Sequence, residues 1–157
     1  MRLEYFQLID RIVDLDLDGR TIRAEAQVPT ENTIFEGHFP GLPLMPGVLL
    51  IEAMAQTSGW LIIGASKFQR MPFLAALKDV KLRSFVTPGQ LLSITASLHH
   101  EGSGFVVTKA AISVGDKNTC DAEITFRLVP FPDASFRANM EDWAAKIGFP
   151  KKALPDG

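Results

Sequence analysis

Pro40-Gly41-Leu42-Pro43-Leu44-Met45-Pro46-Gly47 runs directly into Val48-Leu49-Leu50-Ile51-Glu52-Ala53-Met54-Ala55-Gln56-Thr57-Ser58-Gly59-Trp60-Leu61-Ile62-Ile63-Gly64-Ala65. The first stretch is broken by Pro40, Pro43 and Pro46 and by two glycines, so it is a loop. The second has no breaker until its end and starts at Pro46-Gly47, a helix-opening signal. It predicts one long helix ending between Gly64 and Lys67. Apolar residues lie on almost every side of it, which requires burial on nearly all sides. Its length approaches that of a membrane span, but Glu52, Gln56, Thr57 and Ser58 fall inside it, and a charge at that depth is costly in lipid. The reading is therefore the core helix of a soluble protein with no membrane partner.

Working outward, the flanking segments alternate. Residues 12–17 and 22–28 carry period-two patterns around Asp18-Gly19, a hairpin turn signal. Beyond the helix, strands are expected over about 73–86, 91–100, 105–114 and 119–128, separated by Pro88-Gly89, the run Glu101 to Gly104, and Gly115 to Asn118. Short connectors imply antiparallel pairing of consecutive strands. The expected fold is α+β: one antiparallel sheet wrapped around one long buried helix over residues 1–130. Residues 131–157 read as an extension with an amphipathic helix, capped by Ser135, carrying Phe136, Met140, Trp143 and Ile147 as an apolar stripe and stopping at Gly148. Lys151 to Gly157 are expected to fray.

Composition narrows the function. A chain of 157 residues with 46% apolar content is one domain with a substantial core. A net charge of −2 argues against a nucleic-acid binder. Its single cysteine, Cys120, excludes an internal disulfide and fits a reducing, cytoplasmic setting. The N-terminal run Met1-Arg2-Leu3-Glu4-Tyr5 lacks the apolar stretch of a signal peptide.

The chemistry centres on Glu52 and His38. Glu52 has only apolar helix neighbours from Val48 to Ala55, where an unpaired carboxylate is expensive and the neutral acid becomes populated; a protonated carboxyl is a general acid. Gln56, one turn on, can orient it. His38 follows Gly37 where a strand is expected to break into the loop, and imidazole suits a general base. Glu36 is the rival acid but precedes a flexible glycine. The helix start at Gly47 and Val48 offers free N–H groups to a developing oxyanion. His99-His100 lack companion ligands, so no metal site is read there, and Cys120 reads as structural. Lys67, Arg70, Lys78, Lys81 and Arg83 form a loose basic cluster that suits an acidic carrier protein.

The run from Gly37 to Gln56 closely resembles the signature of the bacterial beta-hydroxyacyl-acyl-carrier-protein dehydratases, hotdog-fold enzymes of type II fatty acid synthesis. Weaker similarity covers Phe6 to Val13, Val80 to Arg83 and Val86 to Leu91. Glutamate in the helix resembles the branch that dehydrates without isomerising. The resemblance implies a hotdog fold, and His38 and Glu52 as a catalytic pair supplied by different subunits of a homodimer, which can assemble into a trimer of dimers. It also implies that the N–H of Gly47 binds the thioester carbonyl, that Gln56 supports the acid, and that acyl carrier protein is the partner. No cofactor is implied beyond the phosphopantetheine that the carrier brings. The tyrosine common near the family's tunnel entrance is absent, with Phe73 or Leu74 in that region, and the tail beyond Pro130 has no counterpart. A hotdog thioesterase and a non-catalytic acyl-binding subunit are the competing expectations on the same fold.

Overall fold

The computed structural model describes residues 1–154. Strand β1 (Arg11–Asp16) and strand β2 (Thr21–Gln27) form the expected hairpin. A short helix α1 (Thr33–Gly37) then precedes the loop, and helix α2 spans Gly47–Ala65. Strands β3 (Arg70–Leu82), β4 (Leu91–Gly102), β5 (Phe105–Val114) and β6 (Lys117–Pro130) follow, and helix α3 (Ala134–Lys146) ends the chain's main elements. All strands join one six-stranded antiparallel sheet in the order β1-β2-β4-β5-β6-β3.

The sheet curls around α2. Alternate residues of β2, β4, β5 and β6 are buried, among them Ile22, Ala24, Leu92, Ile94, Val106, Ile112, Ile124 and Phe126. They meet Leu50, Met54, Leu61 and Ile62 of the helix in one core. The polar residues inside α2 are satisfied locally: the Thr57 hydroxyl donates to the Ala53 carbonyl at 2.9 Å, and the buried Thr108 hydroxyl donates to Ser58 at 2.9 Å. By length and composition α2 could cross a membrane, yet most of it is buried inside this sheet.

Three expectations change. The short link between β3 and β4 does not make them neighbours: β3 pairs with β6 at the sheet edge, while β4 lies between β2 and β5. Residues 83–90 instead cross the end of the sheet, held where Met45 N–H donates to the Val86 carbonyl and Gly89 N–H to the Val28 carbonyl. The link is long enough to cross, and the β6 partner satisfies β3. Second, α2 is not enclosed all round. From Ala53 to Gly64 it is almost wholly buried, but Val48 is 71% exposed and Glu52 only half-buried. Third, the cap of α3 is Asp133, whose carboxylate accepts from Phe136 N–H at 2.8 Å and from the Ser135 hydroxyl at 2.6 Å. Those two donors hold the Asp133 carboxyl below its ordinary pKa, the hydroxyl of Ser135 foremost.

The tail is fastened to the body. Ile12 N–H donates to the Ile147 carbonyl at 2.7 Å, and the Phe149 ring packs edge-on to Phe68 (5.5 Å between centroids) and tilted against Trp60 (6.0 Å). Gly64 makes room for it, since a Cβ there would lie 2.9 Å from the Phe149 ring. Lys151–Ala153 form a single 3-10 turn rather than a frayed end; the rest of that expected fray, 155–157, lies outside the described residues.

Candidate active site

His38 does not follow a strand. It is the C-cap of α1, and its N–H donates to the Ile34 carbonyl. The signal for α1 was Asn32, whose side chain accepts from Ile34 N–H at 3.0 Å, an N-cap in a stretch too short to show periodicity. Downstream, Phe39-Pro40-Gly41-Leu42 closes on itself. Leu42 N–H donates to the Phe39 carbonyl at 2.8 Å, and Gly41 takes φ +77°, the left-handed value that a proline-led turn of this kind requires at its third position. Leu44 N–H then returns to the His38 carbonyl at 2.9 Å. The prolines and glycines thus build a tight loop whose two ends meet at the histidine.

That closure orients the imidazole. His38 Nδ1 lies 3.0 Å from the Leu44 carbonyl oxygen. A carbonyl only accepts, so Nδ1 carries a proton, and in the neutral tautomer Nε2 keeps its lone pair. The ring stacks on Phe39, 4.1 Å between centroids at 25°. His38 borders a cavity of about 700 Å³ together with Gly47, Leu82, Ser84 and Phe85. Gly47 is the first residue of α2, where the N–H groups have no partner within the helix. The buried Ser84 hydroxyl at the same cavity makes no hydrogen bond with the described residues.

Glu52 stands one turn further along α2. Gln56 Nε2 donates to Glu52 Oε1 at 3.1 Å and to the Phe6 carbonyl at 2.8 Å, while Gln56 Oε1 accepts from Leu8 N–H at 3.1 Å. The amide is fixed by the N-terminal segment and aimed at Oε1 of the carboxyl. Glu52 and Gln56 border a second cavity, about 300 Å³, that is otherwise apolar. Within one chain, His38 and Glu52 line different cavities. Glu36, the rival acid, is exposed on α1 and borders neither.

The five basic residues do not gather. Lys67 and Arg70 sit where α2 passes into β3, and Lys81 and Arg83 at the opposite end of β3, a 13-residue strand of roughly 40 Å at about 3.3 Å per residue. Lys78 stands opposite Glu123 and Lys81 opposite Asp121 across the β3–β6 pair, and Arg83 is ion-paired to Asp121 at 2.6 Å. Cys120 is fully buried, and burial pushes its thiol up to about 11. Sequence reading missed the Leu44 carbonyl, the backbone of Phe6 and Leu8, and Ser84, since a main-chain partner leaves no mark in residue type.

The model of the FabA-like domain matches residues 2–123. The chain belongs to the FabA-like family. A relative named 3-hydroxyacyl-acyl-carrier-protein dehydratase FabZ, from Levilactobacillus brevis, is 39% identical over 126 residues, covering 80% of this chain and 84% of that protein. The protein of the same name from Clostridium acetobutylicum is 35% identical over 123 residues, covering 78% of this FabA-like chain and 86% of that one. Among solved structures, a conserved protein of Pseudomonas aeruginosa superposes with a TM-score of 0.61 at 21% identity, over 80% of this chain and 91% of that one. A hypothetical thioesterase of Streptococcus pneumoniae, solved with coenzyme A, superposes with a TM-score of 0.59 at 15% identity, over 76% and 85% respectively. The fold is the hotdog fold.

Proposed function

We propose that this protein removes water from a (3R)-3-hydroxyacyl thioester carried on acyl carrier protein, giving the trans-2-enoyl thioester of type II fatty acid synthesis. The observation that carries the reading is the pair of oriented groups: an imidazole with Nε2 free and a carboxyl held by a fixed amide. His38 Nε2 takes the proton alpha to the carbonyl, and the electron pair forms the C2–C3 double bond as the hydroxyl leaves. Glu52 Oε2 gives that hydroxyl its proton, so it departs as water. The N–H groups at Gly47 and Val48 steady the carbonyl oxygen as charge builds on it. Afterwards a proton passes from imidazolium to carboxylate through water, restoring both groups. The thioester itself acidifies the alpha carbon, so these residues suffice without a cofactor. Phosphopantetheine arrives with the carrier, and the setting is the cytoplasm.

The pair works across a homodimer, and such dimers can stack in threes. Support comes from the separation of the two cavities within one chain and from the open face at Val48. Co-expressing His38→Ala with Glu52→Gln tests both claims, with enoyl absorbance and free-thiol release followed together. Each homodimer is expected to fall by about 10²- to 10⁴-fold. A random mixture regains about one quarter of wild-type turnover, because half the dimers are mixed and each mixed dimer holds one intact site. No recovery in the mixture places both groups of a site in one subunit; thiol release without enoyl product makes the protein a thioesterase.

A further inference from the structure

The cavity at Glu52 continues along α2 past Gln56, Gly59, Trp60 and Ile63. These positions recur at helical spacing, so they form one stripe rising about 16 Å at 1.5 Å per residue. Met71 to Leu74 of β3 face it. Glu52 and Gln56 supply its polar side chains; the other lining residues are apolar. Phe6 and Phe126 add to the lining, and a further wall comes from α3, through Met140 and Trp143. That wall is anchored, by the Asp133 cap at one end and by the Ile12–Ile147 hydrogen bond and the Phe149 ring at the other. Trp143 also borders a polar cleft with Arg2, Gln7, Asp10 and Lys146, so its indole partitions the two spaces.

The FabA-like match ends at residue 123, and α3 starts at 134. The catalytic candidates therefore belong to the shared family region, while one wall of the apolar cavity belongs to an element outside it. We infer that α3 determines which acyl chains this protein accepts, with Met140 and Trp143 as specificity-determining residues that confine the chain beyond Glu52. The inference rests on the proposed dehydration, in which the acyl group enters the Glu52 cavity. An apolar wall acts on chain length because each added methylene that fits, or fails to fit, changes selectivity by about tenfold or more.

The test compares kcat/KM for 3-hydroxybutyryl and 3-hydroxydodecanoyl N-acetylcysteamine thioesters, which bypass carrier docking. Met140→Ala and Trp143→Leu are expected to raise the long-to-short ratio by about tenfold, and Met140→Phe to lower it by a similar factor. Melting curves establish that the variants fold. Should Trp143→Leu unfold, the two Met140 variants, altering a half-buried side chain, still decide the matter. An unchanged ratio, or equal losses on both substrates, overturns the inference. If wild-type protein converts neither these thioesters nor their carrier-bound forms, the dehydratase reading fails instead. Tryptophan emission then reports binding of saturated acyl thioesters, since both tryptophans of the chain, Trp60 and Trp143, line the cavity. In that case opposite shifts in chain-length preference for Met140→Ala and Met140→Phe sustain the role of α3, and no shift refutes it.

Discussion

Both polar ends of the Gln56 amide are engaged, and its three bonds tie two parts of the chain together: Leu8 and Phe6 in the N-terminal segment, and Glu52 on its own helix. Gln56→Leu therefore strands the N–H of the buried Leu8, at a cost of about 1–3 kcal/mol, while water can replace the exposed bond to the Phe6 carbonyl. The melting temperature is expected to drop by several degrees. Dehydration should fall further than stability alone explains, because the Glu52 carboxyl loses its orienting partner; turnover at a temperature where the variant is fully folded checks this. Cys120 makes a separate prediction. Burial favours its neutral thiol, raising its pKa from 9.0 to about 11. The unfolded chain therefore ionises first, so the stability that the buried thiol contributes is complete below pH 9 and lost as pH rises toward 11. Unfolding free energies measured across that window should decline less steeply in Cys120→Ala, and a thiol reagent at neutral pH should label the native protein far more slowly than the denatured one.

At the scale of the element, β3 is where the single chain is incomplete. It pairs with β6 on one side and leaves its other edge bare, a long strand that proteins cover rather than expose. Leu77 and Leu82 stand opposite the buried Ile124 and Cys120, on the concave face, yet are 42% and 53% exposed, and Phe85 beyond them is 79% exposed. A second copy of the chain laid along β3 would cover this surface. Leu77→Lys is expected to yield monomers in sedimentation velocity and, if the site is shared between subunits as proposed, to cut turnover with it. An active monomer would contradict the shared site. The same strand explains why the basic residues scatter: at about 3.3 Å per residue, positions 70 and 81 cannot share one surface spot.

For the whole molecule, charge is balanced by location. Lys78, Lys81 and Arg83 face acidic partners on β6, whereas Lys67 and Arg70 lie at the turn between α2 and β3 and make no salt bridge with the described residues. If an acidic carrier docks there, Lys67→Glu with Arg70→Glu lowers turnover of carrier-bound substrate while sparing a small thioester. The loss narrows as salt shortens the screening length from about 10 Å at 0.1 M toward 3 Å at 1 M. Equal losses on both substrates assign these residues to the fold.

Read alone, the chain determined whatever depends on neighbours in sequence. The Pro/Gly loop, the apolar helix starting at Gly47, the β1–β2 hairpin and the β4–β5–β6 meander are local patterns, and Glu52 with Gln56 is a one-turn spacing on a helix. Tertiary structure decided what depends on distant partners. The place of β3 beside β6 follows from long-range pairing, which a short connector does not control. The tautomer of His38 follows from a main-chain carbonyl, which carries no residue-type signal. The surface met by the Met140 and Trp143 stripe was equally invisible, because periodicity tells which side of a helix is apolar but not what it will face. Only the folded chain brings α3 against α2 and makes that stripe a wall of the Glu52 cavity.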